Sequence, residues 1–506
     1  AEAAISSGAF AIFADPAKSN LDFSQFLYGR ATLTPAATTL QDAVVRASGP
    51  LPVTLWGGAV RISGSLEHRV ESYGGSRFSG PGSNGVRSAI AYQPQRQIVS
   101  SGYAELVLPV VSPGNHVPGI HLLEVQIAAR HDEYWTRGSR QIAIADDGTP
   151  LEDGERTSSS FGSTNPTVAL RYQPTQDLTL RGSYATGFLP PTVTQIVPSQ
   201  SPLTLPGYFL SFLRDPRRGG EPVGATGTDF TLSYTGSGTL RPERSTSWSA
   251  GAILTPRFVP NLRLSVDWSR ISKRDNIASL ATLSSRDFTF EGTVPGLIKR
   301  GPVAPGDPYG VGPVTGIDLG LFNVSRLKVE ALDFALDYSL VTKRIGTFNL
   351  TANATRVLSL AAQVTPGSPW IEYVGTGSAA NVGGANDGGA LKWKGTATLG
   401  WQINPDLTAS WTARYFGPYF FDETHDVQAN QGSDHIGSQI FNDLFASYRF
   451  ALFGTNKSTR IEGGARNIFN ASPRVDVIGT GFNPSGYSYF ADPRGPSYYL
   501  TIRQNF

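Results

Sequence analysis

The sequence predicts an all-β protein, a transmembrane antiparallel β-barrel of the outer-membrane type. Apolar and polar residues alternate along many segments of about 12 to 20 residues, far longer than the strands of about 5 to 6 residues typical of soluble proteins. The connections between these segments are short and long in turn. The composition is rich in turn-forming and aromatic residues, with 56 Gly, 35 Pro and 19 Tyr among 506 residues, as is typical of β proteins.

The composition also excludes several classes of protein. No apolar run reaches the roughly 18 residues that a membrane-spanning helix needs. A formal net charge of +2 gives no reason to expect a nucleic-acid partner. The chain has no Cys, which excludes disulfides and thiolate metal sites. It also lacks Met and a recognisable signal peptide, so we expect a mature or partial product.

Two regions are predicted along the chain. Residues 1–38 are mostly small and polar and form a leading segment, either loop or the remnant of an earlier strand. Residues 39–506 form the barrel, with about 15 alternating strands whose ends are uncertain by several residues. The predicted strands are 39–51, 58–75, 96–112, 121–138, 163–175, 178–192, 245–257, 262–280, 320–343, 346–363, 389–404, 407–423, 435–452, 459–474 and 497–506.

The two faces of these strands differ in polarity. In 121–138, Leu123 and Val125 alternate with Glu124 and Gln126, as the period of two along a strand requires. A soluble sandwich would give the same alternation with its apolar face inward. Aromatic residues near strand ends, such as Trp135, favour the membrane because aromatic girdles mark its two interfaces.

The connections separate these two possibilities. Short connections such as 173–177, 343–346 and 403–406 alternate with long ones such as 193–244 and 281–319. Outer-membrane barrels have short periplasmic turns and long external loops, whereas a sandwich has no reason to sort its connections this way. The last segment, SYYLTIRQNF at 497–506, follows a long connection, so we predict a periplasmic C-terminus with Phe506 as the barrel-closing residue.

The odd number of strands points to a missing part, because single-chain bacterial barrels have even numbers. Either one strand lies undetected within residues 1–38, or the chain lacks the N-terminal part of its barrel.

Six stretches in order resemble the barrel of TonB-dependent outer-membrane receptors. Two depart slightly from the family pattern, with Ala331 where Gly is frequent and Pro496 in place of Arg. The stretches are LRGSYATGFLPPTVTQI (180–196), LRPERSTSWSAGAIL (240–254), SRLKVEALDFALDYSL (325–340), IFNDLFASYRF (440–450), GARNIFNASPR (464–474) and ADPRGPSYYLTIRQNF (491–506).

The resemblance implies a location, a function and partners. Such receptors are integral to the bacterial outer membrane, in contact with lipid and lipopolysaccharide, and have barrels of about 22 strands filled by an N-terminal plug. The strands predicted in residues 39–506 would then be the last strands of such a barrel. The plug and the TonB box would lie outside this chain. The implied activity is uptake of a scarce, bulky nutrient driven by the TonB–ExbB–ExbD system, with siderophore-iron, cobalamin, haem or an oligosaccharide as cargo. No enzyme activity and no cofactor are implied.

No catalytic or metal motif stands out in the sequence, so ligand candidates come from two predicted external loops. Aromatic residues beside arginines suit an anionic chelate or a sugar, although such a loop could equally pack on its neighbours or meet lipopolysaccharide phosphates. The second loop is acidic and contains two histidines, and it is more simply interpreted as a solvated loop. The candidates are Tyr208, Phe209, Phe212, Arg214, Arg217, Arg218, Asp422, His425, Asp426 and His435.

Charged residues on the polar face of the strands are predicted to line the lumen and to contact a plug. A purely structural role inside the barrel is the simpler interpretation. They are Arg61, Glu67, Arg69, Glu124, Arg130, Asp132, Arg460, Glu462 and Arg466.

Two other functions remain open at this point. A passive porin-like channel would need no plug and an even number of strands. A barrel subunit of a larger surface assembly would need partner proteins covering the long loops.

Overall fold

A single antiparallel sheet of 15 long strands dominates the computed structural model. The structure describes residues 32–81, 87–145, 149–197, 203–224, 229–234, 240–279, 285–377, 389–420, 432–451, 458–475, 487–488, 490 and 494–504. The long strands are β1 (Thr38–Leu55), β2 (Gly58–Tyr73), β3 (Gln95–Val111), β4 (Leu122–Ser139), β5 (Arg156–Gln173), β6 (Leu178–Leu189), β7 (Glu243–Leu254), β8 (Leu262–Ala278), β9 (Phe322–Val341), β10 (Thr347–Gln363), β11 (Trp393–Gln402), β12 (Leu407–Phe416), β13 (Gln439–Ala451), β14 (Ser458–Arg466) and β15 (Ser497–Gln504).

Each strand pairs with its neighbours in sequence, so the sheet is a continuous meander from β1 to β15. Among the described residues, these two outermost strands pair on one side only. The fold is that of an outer-membrane β-barrel, and all 15 predicted strands are present. Phe506 lies outside the described residues, so its role as the closing residue stays a prediction.

Three predicted strand ends were wrong by seven or eight residues. β5 begins at Arg156, seven residues before the predicted 163, because β4 is long enough to pair with it up to Ser139. β12 ends at Phe416; the Gly417 N–H still bonds the Trp393 carbonyl of β11, but Pro418 follows and has no N–H to continue the ladder. β14 ends at Arg466 because Asn467 then takes a positive φ of 50°.

The register keeps one face of the sheet polar and the other apolar. Ile62, Leu106, Ile127 and Val168 lie side by side on four successive strands. Ile127 and Val168 remain 46% and 45% exposed, which suits a surface that faces lipid rather than water. A shift of one residue would exchange the two faces, so the membrane fixes the register.

All other described strands lie in the long connections or, for Thr32–Thr34, in the leading segment before β1. Thr32–Thr34, Ser76–Pro81, Arg87–Tyr92 and Ile142–Ala143 form one four-stranded sheet, so the described part of the leading segment joins a loop sheet. A second sheet has the order Leu203–Leu205, Phe230–Ser233, Val314–Asp318, Ile298–Arg300. Two strand pairs complete the set, Arg214–Asp215 with Glu221–Pro222 and Tyr419–Phe420 with His435–Ile436, and Ile371–Glu372 extends β10.

Helices are few and short. The described residues contain one α-helical turn, Val193–Ile196, and four 3₁₀ turns, Pro113–Asn115, Gly207–Leu210, Pro216–Arg218 and Ser285–Phe290. In the described part of the chain, no helix has the length and apolar character needed to cross a membrane.

The short β9–β10 turn is docked against the end of β11. The Trp401 indole Nε1 donates to the Ile345 carbonyl at 2.6 Å, and the Thr342 N–H donates to the Gly346 carbonyl at 3.0 Å. Gly346 has φ = +86°, and a Cβ there would collide with the Gln402 carbonyl oxygen and approach that of Ile403 to 2.7 Å. This turn therefore requires Gly for both its conformation and its contact.

Gly346→Ala is expected to destabilise the barrel more than Gly367→Ala. Gly367 has the same φ of +86° but nothing within 4 Å of a built Cβ, so the two variants share a conformational cost of roughly 1–2 kcal/mol. Overpacking against β11 should add about 1–3 kcal/mol to the first variant alone. The measurement is the temperature at which the folded, faster-migrating band disappears in detergent electrophoresis, and equal temperatures for both variants would contradict the docking role.

Candidate ligand-binding site

The two longest connections fold together into one packed unit at the end of the sheet that carries the long loops. We call residues 203–224, 229–234 and 285–318 the loop cap. Phe230 from the first connection and Leu297 and Ile317 from the second are all 0% exposed, in one apolar cluster. Burying each such side chain is worth about 1.5–3 kcal/mol. The cap is thus a preformed structure with a core of its own.

The cap is fastened to the barrel and to itself. Its cluster includes Ala278 at the end of β8 and Val324 near the start of β9. Within the cap, Phe230–Ser233 runs parallel to Val314–Asp318, which ties the first long connection to the second.

Arg300 forms the centre of a buried ion network in the cap. Its guanidinium Nη1 lies 2.6 Å from an Asp215 carboxylate oxygen and its Nε 2.5 Å from a Glu291 oxygen. Burial alone would lower the pKa of Arg300, but the hydrogen bonds to Glu291 and Asp215 raise it overall. The same contact lowers the pKa of Glu291. Since Asp215 is 2% exposed, its charge depends on Arg300 for compensation.

Two of the predicted ligand arginines take part in the internal contacts of the cap. Arg218 is buried and pairs with Asp307 at 2.8 Å and with Glu221 at 3.0 Å, while its guanidinium lies 4.9 Å from the centre of the Tyr309 ring. Arg217 pairs with Glu291 at 3.2 Å but remains half exposed. Arg218 therefore has a structural environment, whereas Arg217 still presents part of its side chain to solvent.

The other candidates of the first loop lie at the surface of the cap or outside the description. Phe212 is 62% exposed, and Arg214 is exposed next to it. The side chains of Tyr208 and Phe209 lie outside the described residues. The ligand role of all four stays a prediction.

The predicted acidic loop is described only at its end. Asp422, His425 and Asp426 lie outside the described residues. His435 is exposed, pairs in register with Phe420 and has its ring 4.6 Å from the phenyl ring of Phe420. Within the described ranges, no three His, Cys, Asp or Glu side chains group in a way that could hold a metal ion.

Part of the predicted lumen set forms one network on the polar face of β2, β3 and β4. Arg130 bridges Glu67 at 3.1 Å and Asp132 at 2.8 Å, and the Ser101 hydroxyl donates to Asp132 at 2.6 Å. The network borders a cavity of about 550 Å³, which Arg46 and Tyr103 also line. It spans three strands and therefore rigidifies this side of the barrel.

The remaining lumen candidates lie apart from that network. Arg69 pairs with its strand neighbour Glu71 at 3.4 Å. Arg460 pairs with Glu462 at 2.8 Å. Arg61 is exposed, and Glu124 lies opposite Arg171 in register. The assignment of these residues to a plug contact stays a prediction.

Arg466 belongs to a second polar cavity, which we call the mouth cavity. It has a volume of about 290 Å³ and lies where β12, β13, β14 and β15 reach the long connections. Arg414, Arg466 and Arg494 line it together with Asp443. Three cations thus surround one carboxylate, which suits an anionic ligand.

Arg414 is held in place in the mouth cavity, but not all of its hydrogen-bond donors have a partner among the described residues. It pairs with Asp443 at 3.1 Å and its guanidinium lies 5.6 Å from the Phe441 ring centre. Its Nε is buried and has no hydrogen-bond partner among the described residues, an uncommon situation for a charged donor. Sequence reasoning missed Arg414 and Arg494, although the first occupies the polar face of its strand and the second follows the Asp-Pro pair near the end of the chain.

Replacing Arg300 is expected to open the loop cap while leaving the barrel intact. Arg300→Gln leaves Asp215 and Glu291 buried without their partner, which should cost about 3–5 kcal/mol. The half-exposed Arg217→Gln is the matched control and should cost about 1 kcal/mol or less. Amide hydrogen exchange of peptides from 203–320 measures the effect, and unchanged protection in Arg300→Gln would refute the role of this network.

The stability of the cap should depend on pH in the acidic range only. Hydrogen bonds from Arg300 lower the pKa of Glu291, and those from the Tyr309 N–H and Arg218 lower the pKa of Asp307. Lowered carboxylate pKa values stabilise the folded cap above their ordinary range, and this contribution is lost as the pH falls through the lowered values. Hydrogen exchange, corrected for its intrinsic pH dependence, should show constant protection from pH 6 to 8 and a loss below about pH 4. A loss of hydrogen-exchange protection in the cap near neutral pH would contradict this prediction.

Comparison with known proteins identifies the architecture. The family model described as "TonB dependent receptor-like, beta-barrel" matches residues 6–468. No curated protein sequence matches the chain.

Solved structures show the same fold at low sequence identity. The ferric-catecholate import receptor Fiu from E. coli K12 is 12% identical, with a TM-score of 0.53 over 93% of this chain and 55% of that receptor. The ferric citrate transporter FecA is 11% identical, with a TM-score of 0.53 over 94% of this chain and 56% of that protein. The chain thus spans little more than half the length of these two receptors.

Proposed function

Because the chain belongs to the TonB-dependent receptor β-barrel family, we propose that its protein performs energy-coupled uptake of a scarce, bulky nutrient. The chain is an integral outer-membrane barrel, so the nutrient would cross the outer membrane. The TonB–ExbB–ExbD system would supply the energy, acting through a plug. The family match is the observation that carries this proposal.

The mouth cavity favours an anionic cargo within this class. Arg414, Arg466 and Arg494 line it against the single carboxylate of Asp443. Guanidinium groups bind carboxylate and catecholate oxygens well, because they offer several donors in a fixed plane. A negatively charged ferric chelate therefore suits this cavity better than a neutral oligosaccharide does. Fiu and FecA are named for ferric catecholates and ferric citrate respectively, which are complexes of this kind.

The loop cap would provide the first contact surface for the cargo. Its buried core and ion network hold the backbone, so exposed Phe212 and Arg214 can meet a ligand without first becoming ordered. Preorganisation of this kind raises affinity because less conformational entropy is lost on binding. Tyr208, Phe209 and Arg217 belong to the same proposed surface.

Residues of the lumen set would meet the plug. Arg130, Glu67 and Asp132 already satisfy one another, so their network would support the barrel wall. Arg61 and Arg466 are exposed on the polar face and are better placed to exchange contacts when a plug moves.

The proposal predicts uptake that depends on both TonB and the mouth arginines. Cells carrying the full-length gene are given labelled ferric citrate and labelled ferric catecholates, and accumulation is measured with and without TonB. At least one chelate should accumulate only with TonB, and Arg414→Gln/Arg466→Gln should weaken its binding by about a hundredfold or more, since charged hydrogen bonds contribute about 1.5–3 kcal/mol each.

Arg263→Gln is the matched control for this experiment. Arg263 lies on the same face of the sheet near a short turn, exposed and loosely paired with Asp337 at 3.5 Å, so its loss should leave uptake unchanged. Uptake that persists without TonB would replace the proposal with a passive channel. TonB-dependent uptake that ignores the mouth arginines would retain energy coupling and refute the anionic cargo.

A further inference from the structure

Five cations lie together on the outer wall of the barrel, near the ends of β7, β8 and β9 that carry the long loops. Arg244 shares the strand face of Trp248, and Arg270 and Arg274 share that of Trp268. The register then places Lys328, opposite Ser272, on the same face, and Arg326 two residues away. We call Arg244, Arg270, Arg274, Arg326 and Lys328 the outer cation cluster.

Positive charges outnumber carboxylates in the outer cation cluster. Arg244 and Arg274 are direct cross-strand partners, an arrangement in which like charges repel and destabilise a sheet. Among the described residues, Arg244, Arg270, Arg274 and Arg326 have no carboxylate within ion-pair distance.

Among the described residues, the two carboxylates nearest the cluster are already engaged. Glu330 lies opposite Arg270 in register, accepts a hydrogen bond from the Trp268 indole at 3.0 Å and lies 3.8 Å from Lys328. Glu372, from the neighbouring β10–β11 connection, accepts from the Ser359 hydroxyl at 2.7 Å and the Leu360 N–H at 2.7 Å. The cluster therefore keeps a large excess of positive charge, which an external anion would neutralise.

The cluster lines a cavity large enough for a substantial headgroup. Its volume is about 630 Å³. The side chains of Thr246, Ser272 and Trp370 also border it, which adds hydroxyl donors and an aromatic surface to the five cations. This combination suits a phosphorylated sugar, with guanidinium groups for the phosphates and an aromatic ring for the sugar face.

The position of the cavity along the membrane normal indicates which molecule can reach it. Trp248 lies four residues from Arg244 along β7, and Trp268 lies two residues from Arg270 along β8. Below these tryptophans the same face carries Ala252, Leu264 and Val266. Aromatic residues between an apolar band and polar residues mark a membrane interface. Because the long loops are external, the outer cation cluster lies at the headgroups of the outer leaflet.

A separate apolar groove of about 680 Å³ lies below this region on the same outer wall. Ala352, Ala354, Gly395 and Ala397 form its floor, and Phe334 and Trp393, 6.0 Å apart, stand beside it. Val266 in the groove is four residues from Arg270, or about 13 Å along β8. Such a groove can accept acyl chains whose headgroup lies at the cluster.

Arg356 extends the positive surface toward this groove. It lies opposite Leu332 on the outer face, and its guanidinium is 5.4 Å from the centre of the Trp393 ring. Its Nε is buried and has no hydrogen-bond partner among the described residues. A lipid phosphate or ester at the edge of the groove would supply an acceptor.

We propose that the outer cation cluster is a specific binding site for a phosphate-bearing glycolipid of the outer leaflet, whose acyl chains occupy the groove below. The phosphates pair with Arg244, Arg270, Arg274, Arg326 and Lys328. The site is on the lipid-facing wall and is therefore separate from the path of any cargo.

The test measures binding of lipid A to the full-length protein, delipidated in detergent, by native mass spectrometry and titration. Arg244→Gln/Arg274→Gln should lower the affinity for lipid A on the order of tenfold or more. Lys343→Gln/Arg344→Gln is the matched control, because it removes two exposed cations from the opposite rim, and it should leave the affinity unchanged. Arg326→Gln is a single-site variant that should weaken binding to a smaller extent.

Stability without lipid separates a binding role from a structural one. The Arg244→Gln/Arg274→Gln variant removes a repulsion, so without lipid it should be at least as heat-stable as the wild type. A less stable variant would show that the arginines support the fold and would overturn the proposal.

Two further probes decide the chemistry of the ligand. Dephosphorylated lipid A should bind much more weakly than lipid A, and equal binding would refute phosphate recognition. Inorganic phosphate should bind far more weakly than lipid A, and binding of equal strength would make this a free-anion site instead of a lipid site. Unchanged lipid A affinity in the double variant would overturn the assignment of the cluster.

Discussion

Hydrogen bonding between antiparallel neighbours is the constraint on which this molecule depends. Inside the membrane no water can satisfy an unpaired backbone N–H or C=O, so each strand must be paired along its length. The 15-stranded meander meets this requirement on both sides of its 13 inner strands by joining each strand to the next in sequence. Once that register is set, alternate residues must face two different surroundings. The register therefore determines which positions carry polar side chains and which carry apolar ones.

The two faces of the sheet and its loop end then have different surroundings and carry different features. The polar face carries the Arg130 network and, toward the loops, the mouth cavity. The apolar face meets lipid and ends at a border of tryptophans and cations. The loop cap is a third environment, because its core is shielded from both water and lipid. Arg300 can therefore pair with Asp215 and Glu291 although all three side chains are largely buried.

The sequence was sufficient to predict what depends on local periodicity. All 15 long strands follow from the alternation of residues such as Leu123 and Glu124, and the alternating connections identified the barrel. The loop cap could not be predicted, because its contacts join residues far apart in the chain, such as Asp215 and Arg300. For the same reason Arg218 resembled a ligand residue in the sequence, and only the fold brings Asp307 to it.

The outer cation cluster was missed for a different reason. Arg270 and Arg274 continue the apolar face of β8 beyond its lipid-facing part, where a simple two-face pattern has no category for them. The role of these two arginines can be recognised only from the neighbouring residues on β7 and β9, which the strand register identifies.

The core of the loop cap also constrains the order in which the protein can assemble. Phe230 and Leu297 come from two connections separated by β7 and β8, and the cluster closes on the ends of β8 and β9. Both connections must therefore meet each other and the ends of β8 and β9 before this core can form. The core can close only once these parts of the chain have been brought together. A defect in the cap would leave an inserted barrel with open loops instead of blocking insertion.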